Sequence, residues 1–283
     1  MTLGVAVPFT DPAALVAWAR RADAGPYGRI GVPDRIVYDN PEPMVMLAAM
    51  AAATERIRVQ SEVVLAPLRE PVLLAKQAAT LDRLSGGRFT LGLAVGARED
   101  DFRAVGADHA SRGRRMDEQL ATMRRIWAGE PAAPGLGPVG PAPVGAGGPE
   151  LLFGGFAPPA LARVARWGSG YVCPAPPGFA GGLFELVRRQ WKDAGRPGEP
   201  LLVGQVNVAL GPEPTVAQAR ESLLRYYAFA PDLAAQSVRA MATTAAGVRD
   251  VVAAYRDLGA HEVMLSCWSD DLAQLDRLAD LLS

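Results

Sequence analysis

The run Ala75 to Gly96, AKQAATLDRLSGGRFTLGLAVG, decides the fold. Leu73, Leu74, Gln77, Ala78, Leu81 and Leu84 recur at helical spacing, which predicts a helix with a Leu/Ala face. Ser85-Gly86-Gly87 stops that helix, because glycine enters the left-handed cap conformation at little steric cost. Phe89 to Val95 is apolar at nearly every position, as a strand covered on both faces would be. Helix, short turn and buried strand make half of a repeating β/α unit. The strand ends at Gly96, where a βα loop could open a site.

The same alternation runs outward in both directions. Strands are predicted at Leu3–Val7, Arg29–Val32 and Ile57–Val64, then at Glu150–Phe153, Gly170–Cys173, Leu201–Leu210 and Glu262–Ser266. Helices fall between them, among them Pro43–Ala53 with its Met stripe, Arg112–Trp127, Ala160–Trp167, a Thr215-capped helix reaching Tyr227, and Thr244–Leu258. Strand–helix alternation over 283 residues predicts a single α/β domain, a (β/α)8 TIM barrel spanning 1–283. Gly129–Pro149 is too rich in breakers for a regular element and reads as an insertion, a lid or disordered loop over 129–150.

Composition narrows the function. Net charge is −1, which supplies no electrostatic reason to bind nucleic acid. Met1-Thr2-Leu3-Gly4 lacks the pattern of a secretory leader, and no apolar run approaches membrane-spanning length, so a cytoplasmic protein without a membrane partner is expected. Two cysteines, Cys173 and Cys267, read as buried thiols. The two histidines, His109 and His261, do not cluster with them, so no metal site is expected. Little reactive side-chain equipment remains, which suits a site where a redox cofactor does the hard step.

Several residues stand at strand ends. Asp34 and Arg35 follow the second strand, and Asp34 serves equally well as a turn former. Ala97-Arg98 begins a charged run that reads either as a substrate contact or as a solvated helix start. Gly154-Gly155-Phe156-Ala157-Pro158-Pro159 gives close backbone approach and a helix start, which together favour an anion; a bare turn is the alternative. Gln205 and Asn207 alternate within a strand, and Trp268 sits at the mouth of the last one.

Leu81-Asp82-Arg83-Leu84-Ser85-Gly86-Gly87-Arg88 followed by Gly92-Leu93-Ala94-Val95-Gly96 resembles the signature of the bacterial-luciferase-like family. Arg112-Gly113 and Met116-Asp117-Glu118 fit the segment that follows. The resemblance implies a barrel enzyme using FMN or coenzyme F420, acting on a small organic substrate, and usually a homodimer. It implies cofactor contacts at Asp34, Glu62, Val63, Gly96, Ala97, Gly154, Gly155, Phe156 and Ala157, with the phosphate near the glycine pair. It also places a bulge or non-proline cis peptide at Glu62-Val63. Arg35, Arg98 and Trp268 are candidate substrate contacts, and no catalytic residue is assigned. Relatives often carry Asp-His where this chain has Asp34-Arg35, which leaves their acid/base role without its imidazole. The first reading is hydride transfer from reduced F420 to a C=C or C=N group, encouraged by the Ala, Arg, Gly and Pro content of a high-GC genome. An FMN-dependent monooxygenase is the second. A catalytically inactive barrel acting as a binding subunit is the third.

Overall fold

The computed structural model describes residues 1–8 and 11–281. Its strands are β1 (Thr2–Ala6), β2 (Arg29–Val32), β3 (Arg58–Ser61), β4 (Val64–Leu65), β5 (Phe89–Ala94), β6 (Glu150–Gly154), β7 (Gly170–Cys173), β8 (Leu201–Val208) and β9 (Glu262–Cys267). The helices are α1 (Pro12–Ala24), α2 (Pro43–Ala52), α3 (Pro71–Leu84), α4 (Glu99–Ala104), α5 (Arg112–Trp127), α6 (Pro158–Trp167), α7 (Pro177–Asp193), α8 (Glu213–Tyr226), α9 (Pro231–Arg239), α10 (Ala245–Asp257) and α11 (Gln274–Ala279). All strand pairings within the sheet are parallel, and β9–β1 and β3–β5 pairing closes it into an eight-stranded barrel. β4 continues the third strand beyond a cis peptide at Glu62-Val63, the place the family resemblance implied.

Side-chain alternation along the strands builds the barrel interior in layers. At the amino-terminal end lies a polar layer: Arg29, Gln60, Thr90, Glu150 and Glu262. Arg29 Nε donates to Glu262 Oε2 at 2.9 Å, and its Nη1 reaches Gln60 Oε1 at 2.8 Å, Thr90 Oγ1 at 2.6 Å and Glu150 Oε1 at 3.1 Å. Two residues along, Leu152, Val203 and Met264 pack with Val172 and Ala6 as a separate apolar cluster. Glycines 4 and 31 stand in this middle layer; a Cβ on Gly31 would meet Oε1 of Glu62 at 3.0 Å. One more step brings Pro33, Ala94, Gly154, Gln205 and Ser266 to the carboxyl-terminal mouth.

The family signature turns out to be scaffolding. Arg88 donates to the Ala51, Thr54 and Ile57 carbonyls, tying the end of α2 to β3. Asp82 accepts from Val144 N at 2.7 Å. The helical stripe of α3 is rotated from the sequence expectation: Leu74, Ala75, Ala78 and Leu81 are buried, while Leu73 and Leu84 are 55% and 52% exposed. α8 begins at Glu213 with Pro212 as its cap, so Thr215 lies inside the first turn and caps nothing. The methionines of α2, Met44, Met46 and Met50, are core residues.

The Gly/Pro-rich excursion joins the end of α5 to the start of β6, so it lies at the amino-terminal end of the barrel, opposite the mouth. Lys76 Nζ donates to Gly140 O at 2.7 Å, and Arg124 to Gly147 O, which hold it against α3 and α5.

Replacing Arg29 with Met should leave the buried Glu262 carboxylate uncompensated and cost about 3–5 kcal/mol. Urea denaturation checks this; a loss below about 1 kcal/mol would mean that the polar layer is held by its other members.

Candidate functional site

All eight barrel strands contribute to a cavity of about 200 Å³ at the carboxyl-terminal mouth. Glu62 and Val63 form one wall, Gly154 and Gly155 face it, and Gln205 and Ser266 supply amide and hydroxyl groups. Gln205 Nε2 donates to Ser266 Oγ at 2.8 Å. Small-molecule sites usually enclose roughly 300–1,000 Å³, so this cavity holds part of a ligand.

Glu62 dominates the chemistry of this space. Its Oε1 accepts a very short hydrogen bond from Gln60 Nε2, and Gln60 is itself held by Arg29. Burial pushes the carboxyl up to about 8, against the pull of Gln60 and of the Arg29 guanidinium, while Glu262 adds to the rise. The side chain retains some accessible surface, yet its carboxyl is surrounded deep in the barrel; the accessible part faces the cavity and not bulk water. Near neutral pH the site therefore has a protonated carboxylic acid in its wall, able to donate as well as accept.

Aromatic residues close the mouth. Tyr226 and Tyr227, at the end of α8, and Trp268, just past β9, line the cavity. Trp268 Nε1 donates to Asn207 Oδ1 at 2.8 Å, and the Tyr226 and Trp268 rings meet edge to face at 5.1 Å. Arg35 backs this wall: its guanidinium lies 4.9 Å from the Tyr226 ring and 5.0 Å from the Tyr38 ring, and it donates to Tyr226 O at 3.0 Å. Asp101, fully buried, accepts from the Ile36 and Val37 N–H groups and stands 3.4 Å from Arg35.

The helix start after β6 is poorer in donors than its sequence suggested. Pro158 and Pro159 fill the first two positions of α6 and bring no N–H, and Ala160 N donates to Ala157 O at 2.8 Å. The Phe156 and Ala157 N–H groups make no hydrogen bond with any described residue. Gly155 has φ +130°, and a Cβ there would come within 2.8 Å of Ala160 Cβ.

Of the residues singled out in the sequence, Glu62, Val63, Gly154, Gly155, Gln205 and Trp268 are brought together in the cavity. Phe156 and Asn207 line a second, larger groove beside it. The remaining six line neither space. Asp34 is spent on Arg69, at 2.9 and 3.0 Å, and on Leu65 N, at 2.8 Å. Arg35 and Arg98 are paired with Asp101, and Arg98 also with Asp100. The Gly96 carbonyl accepts from Arg112 Nε at 3.1 Å, and Ala97 and Ala157 are exposed. Glu62 pairs with Gln60, and the nearby Arg69 belongs to Asp34 and Glu42. Ser266 and Pro174 were missed; both stand at strand ends, the one signal that could have found them.

The sequence pattern of the luciferase-like monooxygenase family matches residues 1–264. An uncharacterized protein of Mycobacterium tuberculosis (strain H37Rv) is 28% identical over 235 residues, 69% of this chain and 77% of that protein. Among solved structures, the monooxygenase RslO1 from Streptomyces bottropensis superposes with a TM-score of 0.84 at 23% identity, covering 100% of this chain and 98% of that one. An F420-dependent secondary alcohol dehydrogenase in complex with an F420-acetone adduct superposes at 0.81 with 16% identity, covering 99% and 97%.

The Glu62 carboxyl sets a pH dependence with a definite sign. Its folded value lies above the unfolded one, so the folded state holds the extra proton and stability falls as pH rises from about 4.5 to about 8. The slope attributable to this group is at most about 1.4 kcal/mol per pH unit. Glu62→Gln should flatten that part of the stability–pH curve in chemical denaturation at a series of pH values; an unchanged curve would mean that Glu62 ionises normally.

Proposed function

Starting from a chain that belongs to the luciferase-like monooxygenase family, we propose an FMN-dependent monooxygenase acting on a small organic substrate. The observation that carries the choice of cofactor is the scarcity of uncommitted positive charge at the mouth. Among the described residues no Lys or Arg lines the cavity, and the neighbouring groove has only Arg239. Arg35, Arg69 and Arg98 are each neutralised by buried or adjacent carboxylates. With two prolines opening α6, this rim suits one phosphate better than the oligoglutamate tail of F420. This reading places FMN before F420, the opposite of the order drawn from the sequence.

The residues fit a flavin. Gly154 carries no side chain beside Val63, and a Cβ there would stand 3.6 Å from it, so the ends of the third and fifth barrel strands would present a low surface on which a planar ring could lie. Glu62-Val63 would support one side of the ring, and the Tyr226, Tyr227 and Trp268 wall would shield it from water. The free N–H groups of Phe156 and Ala157 would take the phosphate. When bound and reduced, the flavin supplies the electrons that activate dioxygen. The chain's own part is position and exclusion of water, with Glu62 holding a proton on a wall otherwise poor in ionisable groups. A cavity that retains this buried acid argues against an inactive barrel.

Anaerobic titration with photoreduced FMN should give saturable binding, and F420 should bind at least about tenfold more weakly, a difference of about 1.4 kcal/mol. Tight F420 binding without a response to FMN would restore the reductase reading. Gly154→Leu should abolish FMN binding, since its isobutyl group would take up the part of the cavity that the ring needs; circular dichroism checks that the variant folds.

A further inference from the structure

The groove beside the cavity is four times its size, about 800 Å³ against about 200 Å³. It runs between the start of α7 and the helix α9, over the outer part of β8. The two spaces adjoin, with Pro174 and Gln205 lining both. The Gln205 side chain is fixed by its hydrogen bond to Ser266, and its backbone carbonyl accepts from Tyr255 Oη at 3.1 Å, so the residue at the neck between them is held in place.

The groove walls are apolar and in contact with water. Phe156, Phe179 and Leu233 are 50%, 60% and 45% exposed, and the two phenylalanine rings lie 6.2 Å apart, tilted across the groove. Contiguous exposed apolar surface of this kind marks a binding face. The α7 end offers almost nothing to a phosphate: Pro174, Pro176 and Pro177 have no N–H, and the Phe179 and Ala180 N–H groups both donate to Pro176 O. Opposite stands Arg239, the only charged side chain in the lining, which makes no hydrogen bond or ion pair with any described residue.

We infer that this groove binds the body of the substrate, an extended and largely aromatic or aliphatic organic acid whose anionic end meets Arg239 and whose reacting end passes Gln205 into the cavity. Area and charge make the case together. Apolar walls take the body, one unpaired guanidinium takes one negative charge, and the neck sets which end reaches Glu62. The inference rests on the proposed function only for the identity of the reacting end.

The test uses 8-anilinonaphthalene-1-sulfonate, an aromatic anion of the expected kind, with cofactor-free full-length protein. Its fluorescence should show saturable one-to-one binding. Phe179→Asp and Leu233→Asp should each weaken it about tenfold, as loss of an apolar wall and gain of a like charge require, and Arg239→Gln about fivefold. All three positions are exposed, so the variants should fold; circular dichroism checks this. Equal affinity in wild type and variants overturns the inference. So does light scattering that shows a wild-type dimer becoming a monomer in Leu233→Asp, because the groove would then be covered by a second copy. FMN binding is measured on the same samples and should survive all three substitutions. If the probe pattern holds while wild type binds no FMN, the groove stands and the flavin assignment falls.

Discussion

Arg29 is a full charge inside the barrel, and the arrangement of the interior follows from having to satisfy it. A guanidinium removed from water needs acceptors on several sides. Glu262 and Glu150 supply charge from β9 and β6, and Gln60 and Thr90 supply neutral oxygens from β3 and β5. Four strands besides its own are thereby tied to one residue at the amino-terminal end. The tie also reaches upward. Gln60 spends its oxygen on Arg29 and its amide nitrogen on Glu62, so the acid in the cavity wall is oriented by a hub in the layer below it. The hub's positive charge only partly offsets what burial does to that acid.

The mouth is governed by the opposite constraint, the removal of available charge. Asp101 collects the loop after β2 and neutralises both Arg35 and Arg98, while Asp34 neutralises Arg69. What remains at the rim is aromatic, with prolines where helix starts would otherwise present donors. One uncommitted guanidinium, Arg239, stands in the groove beside it, among apolar walls suited to an aromatic body. Selection of cofactor and of substrate can thus come from the same depletion of cations.

The barrel was legible because strand periodicity and the glycine stop after Leu84 depend on local chemistry. Gly154-Gly155 could be singled out because the pair follows a strand, whereas Glu62-Val63 could be singled out only through the family resemblance. Asp34, Arg35 and Arg98 also end strands, yet their partners lie on segments that sequence cannot bring together, such as Asp101 and Arg69. The sequence allows Tyr226 and Tyr227 to line a pocket or to fill the core, and the choice depends on where α8 stops relative to β9, a tertiary fact. The helix start at Pro158-Pro159 shows a different failure. The prolines were visible and correctly read as a first turn, but the N–H groups they remove were not subtracted.

The excursion between α5 and β6 has its own consequence. Its turns are anchored by side chains of α3 and α5, yet it lies at the end of the barrel away from the cavity. The chain can be opened there without cutting a strand or disturbing a wall of the site. That makes the Gly135–Gly137 tip a natural place for new termini in a circular permutant, or for a grafted reporter domain.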